Sequence, residues 1–299
     1  MGILKRIKNK FLNIYIHVFC KNNTRKFVEI QFNIATGKKI NLDNPVTFND
    51  KINWLKVYYY NPLFEKCADK INVREYVKDK GLDKYLTKLY KVYNNVDEIN
   101  LAELPDKFVI KTTHSSGGVA VVNSKDTIDD YKLEHIKEVL NESMKNNLYE
   151  VNREWQYKNL IPKIMVEELI EGNGPELNDY KFFCFNGKVE YVYVARGIST
   201  GDLSYYIDFY DKDWNWLDVR RVGHKNYGKI DKPKNFEEMK NIAEKLSKDF
   251  DHVRVDLYNE NGRIYFGELT FTTAAGFGVF EPDSFDYELG EKWNITKNN

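Results

Sequence analysis

The segment Arg254–Gly276, RVDLYNENGRIYFGELTFTTAAG, holds two carboxylates that could work as a pair, Asp256 and Glu268. Asn259-Glu260-Asn261-Gly262 is turn chemistry, because Gly takes φ > 0 freely. The residues on either side read as the strands of a hairpin. With Glu260-Asn261-Gly262 as a three-residue loop, Asn259 faces Arg263, Asp256 faces Phe266 and Arg254 faces Glu268. Side chains alternate along a strand, so Arg254, Asp256 and Tyr258 share a face with Ile264, Phe266, Glu268 and Thr270. Val255, Leu257, Leu269 and Phe271 fill the other face. Asp256 and Glu268 are then diagonal neighbours. Two close carboxylates repel unless one is protonated or a cation lies between them. Mg²⁺ takes such oxygens, usually together with substrate phosphates. The plain alternative is a solvated hairpin with an Arg254–Glu268 ion pair, and a slip of one residue would part the carboxylates.

A second candidate lies upstream. The strand Phe108-Val-Ile-Lys111 runs into Thr112-Thr-His-Ser-Ser-Gly-Gly118 and then the strand Val119–Val122. A turn of small residues lets backbone N–H groups approach phosphate oxygens, and Lys111 adds a positive charge. No Gly-Lys-Ser/Thr follows, so this is not a Walker A loop. Further on, the strand Ile161–Leu169 ends in Glu167-Glu168-Leu169, and Asp179-Tyr-Lys181 opens a strand that reaches the turn Asn186-Gly187. Arg196 follows the next strand, Val189–Val194.

These motifs, in this order, resemble ATP-grasp ligases. Arg254-Val-Asp256-Leu and Glu268-Leu-Thr270-Phe are similar to that superfamily's metal-binding end, often R-x-D-F and then E-x-N. Thr270 stands where many members have Asn, and Thr273 where a Pro is usual. More narrowly, Asp69-Lys70…Arg74 and Glu154-Trp-Gln-Tyr157 resemble the TupA-like ATP-grasp family, associated with teichuronopeptide and other polysaccharide biosynthesis. The likeness runs from about Thr47 to Trp293. It implies ATP and Mg²⁺ as cofactors. Lys70, Lys111, Ser115, Ser116, Gly117, Gly118 and the hinge Glu167-Glu168-Leu169 would hold the nucleotide, Asp256, Glu268 and Thr270 the metal. Lys181, Arg196 and Arg254 would be the catalytic cations.

Several elements must position these groups. Thr47 or Asn49 caps a helix with Ile52, Leu55 and Tyr59 on one side. Leu63–Lys78 reads as one further helix, carrying Lys70. Asp126–Met144 is a polar helical segment, and Phe236–Phe250 is an amphipathic helix leading into the hairpin. The expected fold is α+β, an ATP-grasp arrangement of antiparallel sheets flanked by helices, with a lid-like subdomain. The expected divisions are a basic amphipathic segment 1–46, a helical subdomain 47–105, a lid 106–170 and a C-terminal subdomain 171–299 with the metal site.

Composition narrows the field. Lys+Arg and Asp+Glu are both 45 among 299 residues, so charge points to no nucleic-acid partner. Cys20, Cys67 and Cys184 form neither a disulfide framework nor a zinc pattern, which suits a reducing cytoplasm. Residues 1–30 carry seven basic groups against the single acid Glu29, with Leu4, Ile7, Phe11, Tyr15 and Val18 at helical spacing. The apolar run Phe11–Cys20 is too short to span a bilayer. Residues 1–20 either pack on the body or lie on an anionic membrane surface, at the inner face of the membrane.

The resemblance implies an ATP-dependent carboxylate–amine ligase working through an acyl phosphate. Its substrates would be an amino acid and an acidic cell-surface polysaccharide or its precursor, the amino acid being joined to a uronic acid or to another amino acid there. A glycosyltransferase is the alternative, since Asp249-Phe-Asp251 and Asp211-Lys-Asp213 both read D-x-D. A non-catalytic assembly protein is the third reading, resting on Thr270 and Thr273.

Overall fold

Thr47 starts a helix with a reciprocal cap. Its hydroxyl accepts from Asp50 N at 3.1 Å, and the Asp50 carboxylate accepts from Thr47 N at 3.1 Å. In the computed structural model, which describes residues 12, 14–16, 18–115, 117–172, 177–197 and 205–295, this helix is α2 (Phe48–Tyr58). It follows α1 (Thr24–Thr36). The single helix expected over 63–78 is instead two, α3 (Pro62–Ala68) and α4 (Val73–Asp79). Asp69 breaks it: its Oδ1 accepts from the N–H groups of Ile71 and Asn72, both at 2.9 Å, which turns the chain between them. Lys70 therefore sits in a turn, with its N–H donated to Thr113 O at 3.0 Å.

Two antiparallel sheets follow. The smaller consists of β1 (Leu89–Tyr93), β2 (Phe108–Thr112), β3 (Val119–Val122) and β4 (Ile164–Glu167), in the order β1-β4-β2-β3. Helix α5 (Asp130–Met144) covers it, and Phe108, Ile110, Val122, Ile136, Leu140, Ile164 and Val166 form its core. Short α6 (Leu148–Asn152) leads back toward the first helices.

The larger sheet holds β5 (Asp179–Phe185), β6 (Lys188–Arg196), β7 (Tyr206–Asp211) and β8 (Trp216–Leu217). After β9 (Arg220–Arg221), helix α7 (Phe236–Ser247) leads into β10 (His252–Glu260) and β11 (Arg263–Thr270). The strand order is β11-β10-β5-β6-β7-β8, and β9 pairs separately with β12 (Phe280–Glu281). Helix α7 lays Phe236, Met239, Ile242, Ala243 and Leu246 against one face of this sheet. Burying each large side chain there stabilises the fold by roughly 1.5–3 kcal/mol. The last helix, α8 (Ser284–Glu291), returns to α2, where the Asp286 carboxylate accepts from Asn49 N at 3.0 Å and Asn49 Nδ2 at 2.8 Å.

Most of the apolar stripe expected at the N-terminus, including Leu4, Ile7 and Phe11, lies outside the described residues. Closer to α1, Ile16 and Cys20 are buried against Phe27 and Ile30. Ile14, Val18 and Phe19 are exposed, Phe19 at 72%. Among the described residues no helix is long and apolar enough to cross a membrane.

Candidate functional site

The hairpin of β10 and β11 differs from its expected register. Asn261 (φ 54°) and Gly262 (φ 78°) form a two-residue loop, so Glu260 pairs with Arg263 and Leu257 with Phe266. Two positive φ values in succession are what an Asn-Gly hairpin turn takes. A bulge then falls at Gly267, where a Cβ would lie 3.0 Å from Asp256 O. The two departures have opposite consequences. Ile264 and Phe266, expected on the face of the carboxylates, are buried in the core instead. Asp256 and Glu268, expected as diagonal neighbours, are directly opposite each other.

Around this pair lies a buried network of charges. Arg254 donates from Nε to Asp256 Oδ1 and from Nη2 to Asp256 Oδ2, each at 2.7 Å. The same Nη2 reaches Thr270 Oγ1 at 2.9 Å and Glu268 Oε1 at 3.3 Å, and Nη1 reaches the Tyr193 hydroxyl at 3.2 Å. The Thr270 hydroxyl donates to Glu268 Oε1 at 3.1 Å. Lys181 on β5 bridges Asp256 and Asp179, the latter at 2.6 Å. Burial alone would lower the Lys181 and Arg254 pKa values, but the adjoining carboxylates hold both well above their ordinary range. Burial pushes Asp179 up to about 6 despite Lys181. The protein packed around the half-open Glu268 side chain would raise its pKa, but Lys181, Lys70 and Arg254 outweigh this and bring it down to about 2. Glu268 is therefore an anion at any physiological pH.

Asp179 is a member of the network that the sequence reading misses. The signal is there: Asp179 and Lys181 are two apart on a strand and so share a face. Tyr157 is a further neighbour, since the charges of Glu154, Glu268, Arg254 and Asp256 all act on its buried hydroxyl.

The small sheet supplies the second cluster. Lys111, at the end of β2, pairs with Glu167 of β4, whose Oε2 also accepts from Thr87 Oγ1 at 2.6 Å. Burial pushes Glu167 up, but Lys111, with the Thr87 hydroxyl and Arg74, more than offsets this and leaves its pKa lowered. The loop after Lys111 is anchored by three buried hydroxyls: Thr112 to Ser143 at 2.8 Å, Ser115 to Ser143 at 2.9 Å and Thr112 to Ser115 at 3.2 Å. His114 Nε2 meets Asn146 O at 3.1 Å, which ties the loop to the end of α5 rather than leaving the imidazole free. Gly118 (φ 58°) packs so closely that a Cβ would fall 2.3 Å from Ser143 Cβ. Ser116 lies outside the described residues.

Lys70 links the two clusters. Its Nζ donates to Ser115 O at 2.7 Å. Burial lowers its pKa, and Glu268, Lys111 and Glu167 are all near enough to act on it. In the expected hinge, Glu168 N is already donated to Lys88 O at 2.9 Å, and the Glu168 carboxylate turns to Arg263 at 3.5 Å. Leu169 follows in coil.

Arg196 does not join the site. Ala195 pairs with Asp179, so Arg196 falls on the opposite face of the sheet, and its guanidinium lies 3.9 Å over the Tyr227 ring. The D-x-D triplets are likewise elsewhere. Asp249 binds Lys80 at 2.6 Å, and Asp211 closes its own turn by accepting from the N–H groups of Asp213 and Asn215.

The residues expected to hold a metal do converge. One guanidinium nitrogen of Arg254 touches oxygens of Asp256, Glu268 and Thr270 together, so the three side chains already turn toward one positive charge. Among the described residues no group of three or more His, Cys, Asp or Glu forms a protein-only cage. Such a set fits Mg²⁺, which is held by one or two carboxylates with substrate phosphates and water completing its shell.

Residues 50–294 match the family model described as TupA-like ATPgrasp. No curated protein matches the chain. Among solved structures, D-alanine–D-alanine ligase from Bacillus anthracis complexed with ATP is 16% identical, with a TM-score of 0.40 over 69% of this chain and 54% of that one. The D-alanine–D-alanine ligase from Helicobacter pylori is 15% identical, with a TM-score of 0.41 over 76% and 61%. An L-amino acid ligase from Bacillus licheniformis is 15% identical, with a TM-score of 0.40 over 71% and 44%. The chain thus spans about half the length of these structures.

Proposed function

Because the chain belongs to the TupA-like ATP-grasp family, we propose that it is an ATP-dependent carboxylate–amine ligase. The observation that carries this reading is the grouping of Lys181, Arg254, Asp256, Glu268 and Thr270, with Lys70 connecting it to the Lys111 loop. A substrate carboxylate oxygen attacks the γ-phosphorus of ATP, ADP leaves, an amine then attacks the acyl carbon, and phosphate leaves. Neither step needs a protein nucleophile. Both need positive charge around a migrating phosphoryl group, and Lys70, Lys111, Lys181 and Arg254 supply it. Asp256, Glu268 and Thr270 would hold Mg²⁺, which neutralises charge developing on phosphate oxygens.

The proposed substrates are an amino acid and an acidic saccharide of a cell-surface polysaccharide. The proposed place is the cytoplasm at the inner face of the membrane, supported by exposed Ile14, Val18 and Phe19 beside a basic N-terminal sequence. Deleting residues 1–20 is expected to remove sedimentation with anionic vesicles and to leave ATP binding intact. Equal sedimentation by both proteins would show that the segment only packs.

Nucleotide binding tests the reading. ATP with Mg²⁺ is expected to raise the unfolding midpoint by mass action, whereas a UDP-sugar is not. Lys111→Ala is expected to weaken ATP binding by about 1–3 kcal/mol, the cost of losing a hydrogen bond to a charged group. A response to the UDP-sugar alone would favour the glycosyltransferase.

A further inference from the structure

The stretch Glu154-Trp-Gln-Tyr157 folds as one 3₁₀ turn, Trp155–Tyr157, closed by Tyr157 N donating to Glu154 O at 3.1 Å. With three residues per turn, three successive side chains leave in three directions, about 120° apart. Two of these are fixed to the end of β11. The buried Trp155 ring stacks on Phe64 of α3, with centroids 5.5 Å apart and planes at 15°. Phe64 stacks in turn on Phe271, the residue after Thr270, at 4.0 Å and 15°. Gln156, also buried, donates from Nε2 to Thr272 Oγ1 at 2.8 Å, and the Thr272 hydroxyl donates to Glu154. The turn is thereby keyed to residues 271 and 272, directly after Glu268-Leu-Thr270.

Tyr157 takes the third direction. It is half-buried, and among the described residues its hydroxyl makes no hydrogen bond. A Tyr hydroxyl set this deep usually has a partner. Its surroundings are those of the site, because Glu154, Glu268, Arg254 and Asp256 all act on it. Burial, and then Glu154, Glu268 and Asp256 against Arg254, hold its pKa well above the ordinary range. The hydroxyl therefore keeps its proton and can only serve as a neutral donor or acceptor. The ground beside it is open to a ligand, since the Glu268 side chain is 43% exposed.

The cations around Glu268 come from two sides. Lys181 and Arg254 stand on the strands of the sheet, whereas Lys70 follows α3, on which the Trp155–Tyr157 turn is packed. Tyr157 joins Lys70 on the α3 side as a group that can donate a hydrogen bond without adding charge.

We propose that the Tyr157 hydroxyl donates to an oxygen of the phosphoryl group while that group passes from ATP to the substrate carboxylate, which makes Tyr157 a catalytic residue of the first step. The proposal rests on the ligase reading for the identity of the site. The bond from phosphorus to the ADP oxygen breaks as the bond to the carboxylate oxygen forms, and the phenol proton stays on Tyr157 throughout. An interaction made with the group in transit, and not with bound ATP, lowers the barrier without tightening ATP binding.

The test is equilibrium titration of the full chain with Mg²⁺–ATP and, separately, with Mg²⁺–ADP with and without aluminium fluoride, which mimics the phosphoryl group in transit. Neither probe requires the acid substrate. The proteins are wild type, Tyr157→Phe and, as a control, Tyr60→Phe, whose exposed ring lies 4.9 Å from that of Trp155. Wild type and Tyr60→Phe are expected to bind ATP and to bind ADP more tightly when aluminium fluoride is present. Tyr157→Phe should keep its ATP affinity within about twofold and lose roughly tenfold or more for the fluoride complex, as expected for a donor to a developing oxyanion. The kept ATP affinity is the evidence of a native site. An undiminished fluoride complex in Tyr157→Phe, an equal loss for ATP and the fluoride complex, or no tightening by aluminium fluoride in wild type would each overturn the role. Failure of wild type to bind Mg²⁺–ATP would instead overturn the ligase reading.

Discussion

Glu268→Gln is expected to abolish magnesium-dependent ATP turnover, by about 10²–10³-fold or more, while the protein stays folded. The substitution keeps shape and removes one negative charge. In the fold that charge does little: the Glu268 side chain is 43% exposed, and its contact with Arg254 is 3.3 Å. Exposed ion pairs contribute about 0–1 kcal/mol. In the site it matters more, because Lys181, Lys70 and Arg254 keep this carboxylate ionised at every working pH. A neutral amide offers a hard cation a weaker oxygen ligand than a carboxylate does and neutralises none of its charge. Magnesium-dependent ADP release, measured beside the urea unfolding midpoint, checks both halves. Wild-type turnover in the variant would remove Glu268 from the metal site.

Asp256→Ala is expected to cost about 3–5 kcal/mol of stability as well as turnover, because it leaves the buried Arg254 guanidinium without its main counter-ion and takes one of two carboxylates from buried Lys181. Asp256 is 1% exposed and accepts from Arg254 through both oxygens and from Lys181 through one. Asp179 still neutralises Lys181 in the variant, so the loss falls mainly on Arg254. The double variant Asp256→Ala/Arg254→Leu should recover part of the stability and none of the turnover. Urea denaturation of the three proteins reads this directly. A loss below about 1 kcal/mol in the single variant would mean that the network does not hold the sheet together.

Much of this is legible in the sequence, for identifiable reasons. The Lys111 loop can be read because two apolar strands bracket a run of small residues ending in Gly117-Gly118. The expectation that Asp256 and Glu268 share a face holds because two departures cancel: the shorter loop slips the register by one residue and the bulge at Gly267 returns both carboxylates to one face. The register itself cannot be read. A loop of two residues rather than three turns Ile264 and Phe266 into the core, and the bulge at Gly267 then brings Glu268 opposite Asp256. The break between α3 and α4 is hidden because the apolar spacing runs on past Asp69, whose side-chain bonds to the N–H groups of Ile71 and Asn72 make the turn. Sequence groups Arg196 with Lys181 because both end or begin strands, but which face a residue takes depends on the pairing across the Asn186-Gly187 turn.

The most direct measurement supplies Mg²⁺–ATP, an acidic saccharide such as D-glucuronate and a set of amino acids, then repeats the reaction with hydroxylamine in place of the amines. A ligase working through an acyl phosphate forms ADP and phosphate in step with product, and hydroxylamine traps the activated carboxylate as a hydroxamate. Equal amounts of ADP and hydroxamate, both lost in Glu268→Gln, are the expected result. No ADP with any acidic saccharide, together with turnover of a UDP-sugar, would contradict the account.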